Sequence, residues 1–451
     1  MVEDRKSEYN SPLDDATLVI CPHCDVLQHV PAVGVATVAK CVYCGEQLRK
    51  PRIDSAQRTL ALSIAAALLF IVANWVPLLS LSVVGRESST TVLGAVVHLW
   101  NDDRVSVAIL VLITAFVAPL LQIGGMLMVS FAALTPSVPR WARIPLRYIS
   151  SMRTWSMIEV MLLGVMVALI KIADYATVIP GLALFTLGGL IVLFAAMQAG
   201  FDVDDLWSRI EWTSDAERMS SFAIHDEAPA NSAFITASQL GIQRCETCGL
   251  PSRPRAGADH GLCPRCGREV IFRKTDSVQR TWAFLSAAAV CYVPANVLPV
   301  LSTSTAAGTD TDTILQGVAE LWSPTGWPLS LIVLFASIMI PSAKIVAMGY
   351  LLISVQRGSV KNNEERIRLF RTVEFIGRWS MVDVFVDTFT ASLVQFEPLM
   401  SVEPGPGLFF FAAVVVMTML AVESFDPRLI WDSSVNPHLS IARGIPIAGA
   451  S

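Results

Sequence analysis

Long apolar runs separated by short polar segments dominate the pattern of this chain. Eight of these runs are long enough to cross a membrane as helices, because one span needs about 20 residues. The runs lie at about residues 58–80, 105–133, 154–175, 178–200, 280–302, 328–355, 377–397 and 405–424. We therefore predict an all-α polytopic membrane protein.

The same pattern occurs twice along the chain. The stretch "SAQRTLALSIAAALLFIVANWVPLLS" at 55–80 matches "SVQRTWAFLSAAAVCYVPANVLPVLS" at 277–302, an offset of 222. Further on the offset becomes 224, where "TWSMIEV" matches "RWSMVDV" and "FDVDDLW" matches "FDPRLIW". This duplication predicts two tandem four-helix transmembrane repeats. An even number of spans per repeat makes both copies start from the same side of the membrane.

Composition and charge agree with this architecture. The chain is 53% hydrophobic and only 16% charged. The loop at 134–153 carries four arginines and no acid, the loop at 356–376 carries five cations, and residues 303–327 contain no Lys or Arg. The positive-inside rule places both termini in the cytoplasm. The polar N-terminal region lacks the pattern of a cleaved signal peptide.

These features predict seven regions along the chain. They are an N-terminal tail at 1–15, a cysteine module at 16–53, a first transmembrane repeat at 54–208, a cytoplasmic linker at 209–240, a second cysteine module at 241–275, a second transmembrane repeat at 276–432 and a C-terminal tail at 433–451.

Eight of the nine cysteines form two CxxC…CxxC sets, which is the spacing of zinc ribbons. We predict two structural zinc sites on the cytoplasmic side, where stable disulfides are disfavoured. Rubredoxin-like iron and a thiol redox centre are the alternatives. A four-thiolate site is closed, so we expect the metal to fold the module without performing chemistry. The ligands are Cys21, Cys24, Cys41 and Cys44 in the first set and Cys245, Cys248, Cys263 and Cys266 in the second.

Polar residues inside the predicted spans form a second candidate site, because an ionisable group in lipid is costly. Lys344 lies roughly 16 Å from the inner end of its helix and follows Pro341, which can kink the helix. Asp383 lies at a comparable depth in the next span, so we expect the two to pair. The candidate set comprises Glu159, Lys171, Asp174, Ser337, Lys344, Asp383, Asp387 and Thr418.

The two repeats differ in these positions. Glu159 is the counterpart of Asp383, whereas Gln122 replaces Lys344 and Leu163 replaces Asp387. Such a set can relay protons between the two faces of the membrane, or it can hold the helices together as a structural ion pair. Both interpretations are open at this point.

The outer loops also repeat, with "TTVLGAVVHLW" matching "DTILQGVAELW". Their apolar positions fit one face of a short helix, and Trp100 and Trp322 suit a membrane interface. We expect helices that lie on the lipid surface; a docking surface for a periplasmic partner is the alternative.

Cysteine modules before each of two four-helix units, together with "RTWSMIEV", "GRWSMVDVFV", "PSAKIVAMG" and "FDPRLIW", resemble the paraquat-inducible protein A family over roughly residues 15–432. The resemblance implies a Gram-negative inner-membrane protein that works with a periplasmic MCE-domain partner, which forms a tunnel toward the outer membrane. It also implies a role in lipid trafficking and zinc at the eight matching cysteines.

Three functions are compatible with these observations. The first is a lipid-transport component, with membrane lipid as substrate and coupling to protons through the buried Lys and Asp residues. The second is a thiol redox or metal-sensing membrane protein, and the third is a passive anchor for an MCE partner. We expect neither an enzyme nor a nucleic-acid partner, and we find no nucleophile–base pair and no open metal site. We also find no GxxxxGK[ST] motif, so any driving force would come from the proton gradient or from the lipid itself.

Overall fold

The computed structural model describes most of both repeats and both cysteine modules. The described residues are 17–30, 37–49, 55–77, 79–83, 86–101, 105, 108–109, 112–135, 138–155, 177–210, 236–252, 261–305, 308–320, 322, 327–377, 380, 395–396 and 400–435.

Helices make up most of the described chain. In the first repeat they are α1 (Ser55–Trp75), α2 (Val92–Asn101), α3 (Ala118–Ala132), α4 (Arg143–Trp155), α5 (Leu182–Gly200) and α6 (Val203–Arg209). In the second they are α7 (Ser277–Val297), α8 (Ile314–Glu320), α9 (Trp327–Leu334), α10 (Ile340–Gln356), α11 (Asn363–Gly377), α12 (Pro406–Ser424) and α13 (Leu429–Val435).

Within the described residues, four helices are long and apolar enough to cross a membrane. They span Ser55–Trp75, Leu182–Gly200, Phe335–Gln356 and Pro406–Ser424. Each exposes large apolar side chains, such as Leu68 on α1 and Phe409 on α12, which water would disfavour and lipid accepts. The chain is therefore a membrane protein. The predicted fold class, two tandem helical repeats that each follow a cysteine module, is confirmed.

The remaining predicted spans differ in how much of them is described. The segment 105–133 includes α3 and a π-helix at Leu112–Val117. The segment 280–302 corresponds to α7, which is less apolar because it contains Arg280, Pro294 and Asn296. The spans predicted at 154–175 and 377–397 lie almost entirely outside the described residues.

A π-helix precedes a proline at the same place in both repeats. Leu112–Val117 runs up to Pro119, and Phe335–Met339 runs up to Pro341. A proline has no N–H to donate to the carbonyl four residues earlier, which favours a locally wider turn. The kink expected from Pro341 is thus accompanied by a change of helix type.

Small antiparallel sheets cover the ends of the repeats opposite the cysteine modules. In the first repeat β5 (Leu79–Val83) pairs with both β6 (Arg86–Thr90) and β7 (Thr177–Pro180). In the second, β12 (Leu301–Thr305) pairs with β13 (Gly308–Asp312) and β15 (Met400–Pro404), and β15 also pairs with β14 (Gln395–Phe396).

The predicted helix ends at residues 80 and 302 and the predicted helix start at residue 178 are wrong, because these three residues lie in strands of the sheets. Pro77 and Pro299 end the preceding helices, and the following "LSLSV" and "LSTST" alternate in a way that favours strands. Gly405 then allows a close approach, because a Cβ at that residue would lie 2.3 Å from the Pro299 carbonyl oxygen.

The cysteine modules consist of short hairpins. β1 (Thr17–Ile20) pairs with β2 (Leu27–Val30), and β3 (Ala39–Lys40) pairs with β4 (Gln47–Arg49). In the second module β8 (Gln243–Arg244) pairs with β9 (Pro251–Ser252), and β10 (Gly261–Leu262) pairs with β11 (Glu269–Val270). We use "first module" for residues 17–49 and "second module" for 236–274.

The modules pack on the repeats in a crossed arrangement. Buried cysteines of the first module share an apolar cluster with α10, α11 and α13 of the second repeat, including Phe370 and Trp431. Buried cysteines of the second module share a cluster with α4 and α6 of the first repeat, including Leu146 and Trp207. Each module therefore docks on the repeat that does not follow it in sequence.

Candidate metal centres and a buried lysine

The four thiols of each module converge on one point. In the first module Cys21 Sγ lies 3.5 Å from Cys44 Sγ. The distances Cys245 Sγ to Cys266 Sγ and Cys248 Sγ to Cys263 Sγ in the second module are also 3.5 Å. All four sulfurs of each group lie within 4.8 Å of one another. Tetrahedral zinc with bonds of about 2.3 Å places sulfurs about 3.8 Å apart, so both groups fit a metal ion.

The backbone of each CxxC turn aims its two sulfurs at that point. Residue 45 donates its N–H to the Cys41 carbonyl at 3.0 Å, and residue 249 donates to the Cys245 carbonyl at 2.9 Å. The residue after each second cysteine has a positive φ and is glycine at Gly45, Gly249 and Gly267. In the fourth turn this residue is Asp25, with φ 61. Aspartate tolerates this conformation better than most side chains.

Hydrogen bonds among the thiols separate their pKa values. Bonds from Cys21 and then Cys24 lower the pKa of Cys44 to about 7, despite partial burial. Bonds with Cys21 and Cys41 raise the pKa of Cys24. In the second module the pKa of Cys263 is lowered to about 7 and that of Cys248 is raised. A metal ion binds cysteine as the thiolate, so a bound metal would displace the remaining thiol protons.

An arginine from the opposite repeat lies beside each site. The Arg371 Nη2 atom lies 3.5 Å from Cys44 Sγ and 2.9 Å from Glu46 Oε2. Its counterpart at offset 224 is Arg147, whose Nη2 lies 3.0 Å from the position of a Cβ on Gly267. Four thiolates and a divalent cation carry a net charge of about −2, which a neighbouring guanidinium stabilises.

Aromatic side chains and a carboxylate complete the docking of the first module. The rings of Tyr43 and Trp431 are 4.8 Å apart. His23 Nδ1 lies 3.1 Å from Glu46 Oε2. The hydrogen bond with His23, followed by the charges of His23 and Arg371, outweighs burial and holds the pKa of Glu46 below its ordinary value.

A buried arginine, Arg273, joins the first module to the end of the second repeat. Its Nη2 donates to Asp25 Oδ2 at 3.1 Å and to Asp432 Oδ1 at 2.7 Å. Asp25 also accepts a bond from the Ser238 N–H at 3.2 Å. We call Asp25, Arg273 and Asp432 the Arg273 bridge. Because Asp25 and Arg273 are each at least 94% buried as side chains, loss of one carboxylate would leave a buried charge poorly compensated.

A second ion pair lies beside this bridge. Arg428 Nη2 lies 2.8 Å from Asp426 Oδ2 and 3.4 Å from Glu246 Oε1 of the second module. Burial alone would raise the pKa of Asp426, but the charge and hydrogen bonds of Arg428 lower it below the ordinary value. The Asp426 N–H also donates to Ser277 Oγ at 2.9 Å, as the Asp202 N–H does to Ser55 Oγ.

Lys344 is buried within a membrane-spanning helix, as the sequence predicts. Its Nζ donates to Ser380 Oγ at 3.0 Å and to Thr418 Oγ1 at 3.2 Å. Thr418 in turn donates to the Val415 carbonyl at 2.9 Å. Three elements of the second repeat thus meet at one ammonium group.

The other predicted members of this polar set have different outcomes. Ser337 is buried and donates to the Val333 carbonyl of its own helix at 2.8 Å. Gln122, the counterpart of Lys344, is buried without a hydrogen-bond partner among the described residues. The predicted residues Glu159, Lys171, Asp174, Asp383 and Asp387 lie outside the described residues, so the expected Asp383–Lys344 pair stays a prediction.

The sequence did not predict a role for Ser380, Arg371, Arg147 or the Arg273 bridge. Signals for some of them were present. Ser380 lies in "RWSMVDV", whose serine recurs in "TWSMIEV", and Arg147 and Arg371 share the offset of 224. Asp25 stands where the other three turns have glycine.

The comparisons with known proteins agree with the duplication. The model of the family "Paraquat-inducible protein A" matches residues 56–211 and again 278–434. No solved structure gives a significant match.

Curated relatives match over nearly the whole chain. Intermembrane transport protein PqiA of Escherichia coli K12 is 32% identical over 92% of this chain and 95% of its own length. Lipophilic envelope-spanning tunnel protein A of the same organism is 30% identical over 92% and 91%. A probable intermembrane transport protein of Haemophilus influenzae is 27% identical over 91% and 95%. The chain belongs to the paraquat-inducible protein A family.

Proposed function

We propose that this chain is the inner-membrane component of a system that moves lipid between the inner and outer membranes. The observation that carries the proposal is the ammonium group of Lys344, which is buried inside the membrane-spanning bundle and bonded by hydroxyls of two other elements. Buried ionisable groups in membrane helices mark transport pathways. The names of the relatives, which refer to intermembrane transport and to an envelope-spanning tunnel, support the same function.

The partner in this proposal is a periplasmic MCE-domain protein that carries lipid across the space between the membranes. The cysteine modules face the cytoplasm, together with both termini, because the arginine-rich segments lie on their side of the membrane. The sheets at the opposite end then face the periplasm, where the partner would dock.

Lys344 would act by changing its interactions during transport. Neutral lysine can accept a hydrogen bond from Ser380, whereas charged lysine can only donate. A change in protonation, shared with Asp383 in the next span, would therefore favour a different arrangement of the helices that meet there. This provides coupling to a proton gradient, and it requires no catalytic reaction, in keeping with a non-enzymatic role.

The test exchanges one residue between the repeats. Lys344→Gln gives the second repeat the residue that the first repeat has at position 122, with a similar chain length and no charge. We expect loss of lipid transfer at normal protein abundance, measured by sensitivity of the envelope to detergents and by transfer in proteoliposomes with and without a pH gradient. Gln122→Asn is the matched control. Full transfer by Lys344→Gln would refute the proposed role, and a parallel loss of abundance would favour the passive anchor.

The metal in both modules is proposed to be zinc, with a structural role. Four cysteine sulfurs would fill the tetrahedral coordination of each metal ion, which leaves no open coordination position for a substrate. Metal analysis of the purified chain should give two zinc ions per chain and no free thiol among the eight cysteines. One iron per module, or thiols that cycle with a redox buffer, would instead support the redox alternative.

A further inference from the structure

A cavity of about 410 Å³ lies where the two cysteine modules meet the second repeat. Pro22 and His23 of the first module and Arg244 and Glu246 of the second contribute to its walls. The rest is formed by Lys274, by residues of α11 and α12 and by the segment 425–428 that follows α12. Because both modules line it, the cavity exists only when both are docked.

The cavity lies at the module-side end of the spanning helix α12, where we expect the membrane interface. Met419 and Val422 belong to the last turns of the spanning helix α12, and Glu423 follows at its end. One part of the wall therefore belongs to the end of an apolar spanning helix, and another part carries the charged side chains of Arg244, Glu246 and Lys274. A ligand that fits must be apolar at one end and charged at the other.

Two lining residues lie close in sequence to the hydroxyl partners of the buried lysine. Met419 follows Thr418, and Gly377 lies three residues before Ser380. Thr418 and Ser380 are the two hydroxyl partners of Lys344. Any displacement of these two elements by a ligand in the cavity would therefore alter the surroundings of the ammonium group.

The charges on the walls are of both signs. Arg428 is paired with both Asp426 and Glu246. Arg244 and Lys274 contribute positive charge, while Glu374 and Glu423 contribute negative charge. Lys274 Nζ donates to the Glu423 carbonyl at 2.6 Å, which fixes the ammonium at the end of α12. In all, the lining has four carboxylates and three basic side chains besides His23. Walls that carry both signs of charge suit a ligand that has both a phosphate and an ammonium group.

We propose that the cavity binds the headgroup of a zwitterionic phospholipid from the membrane leaflet on the module side. This inference rests on the proposed function. The cavity would then be the place where lipid exchanges between that leaflet and the transport pathway. The phosphate contacts Arg244 and Lys274, the lipid ammonium contacts Glu374 and Glu423, and the glycerol and upper acyl chain contact Met419 and Val422.

Gly377 allows a specific test of the site. It lines the cavity, and a Cβ there would meet no described heavy atom within 4 Å. Gly377→Trp should fill the cavity, and Gly377→Ala is the control that replaces the same glycine without filling the cavity. The full chain is placed in nanodiscs with a photoactivatable phosphatidylethanolamine, or with the phosphatidylglycerol analogue, and cross-linked peptides are identified by mass spectrometry.

We expect phosphatidylethanolamine to cross-link the peptides that contain Met419–Glu423 and Phe370–Gly377. Gly377→Trp should reduce this at least fivefold, whereas Gly377→Ala should change it less than twofold. The Lys344→Gln variant should retain the cross-links while losing transfer, which separates this inference from the proposed function. Equal labelling by the two lipids, or labelling that Gly377→Trp leaves unchanged, would overturn the inference even if Lys344 proves essential for transfer.

Discussion

Replacing Asp25 tests whether the Arg273 bridge fixes the first module. Asp25→Gly removes the acceptor of two hydrogen bonds, from Arg273 Nη2 at 3.1 Å and from the Ser238 N–H at 3.2 Å. Together these bonds contribute about 3 kcal/mol, because one is charge-assisted and buried. Glycine also adopts the positive φ of residue 25 with less strain than aspartate, which stabilises the folded state by about 1 kcal/mol. The net loss is about 2 kcal/mol.

Hydrogen exchange provides the assay, because it reports the local opening free energy in a membrane protein without global unfolding. A loss of about 2 kcal/mol corresponds to about a 30-fold decrease in protection. We expect this decrease in the peptide that spans residues 236–242. Asp25→Asn keeps a neutral acceptor and should lose less, about 1 kcal/mol or fivefold.

The control is Asp205→Asn, which removes an exposed ion pair with Arg209 at 2.7 Å. Exposed pairs contribute little, so protection should change less than twofold. If Asp25→Gly leaves protection unchanged or increases it, the backbone strain outweighs the bridge and the reasoning fails.

Two further predictions concern the docking of the modules. Arg371→Gln should make the cysteines of the first module react with an alkylating reagent about tenfold faster, and Arg147→Gln should have the same effect on the second module. The measurement is mass spectrometry of each cysteine peptide. Faster alkylation of the module that lies in the same half of the sequence as the substituted arginine would contradict crossed docking. The lowered pKa of Asp426 predicts that its ion pair stabilises the fold above the unfolded carboxyl pKa of about 4 and that this contribution is lost as the pH falls below it. Asp426→Asn should therefore lower the thermal midpoint at pH 7 and flatten its decrease between pH 5 and 3; an unchanged profile would show that Asp426 is not the titrating group.

Local patterns explain which parts of the fold the sequence predicted correctly. The cysteine sites follow from spacing within one turn, and the burial of Lys344 follows from the apolar run around it. The strands at 79–83 and 301–305 were missed because the predicted spans were extended past Pro77 and Pro299 to residues 80 and 302, into the alternating segments "LSLSV" and "LSTST".

The crossed docking could not be predicted in the same way. Both repeats offer a tryptophan and an arginine at matching positions, Trp207 with Arg147 and Trp431 with Arg371. Either repeat could therefore receive either module as far as residue types are concerned. For the first module the choice depends on contacts between residues more than 300 positions apart, such as Tyr43 with Trp431, which spacing along one chain does not encode.

Crossed docking has a consequence for the order of synthesis. The first module is complete by residue 49, but its docking surface extends to Trp431, about 380 residues later. At about 5–20 residues per second, the ribosome needs about 20–75 s to supply that surface. During this interval the nascent first module lacks the apolar surface of the second repeat on which it docks. Prompt capture of a metal ion would keep its cysteines from reacting while the rest of the chain is made.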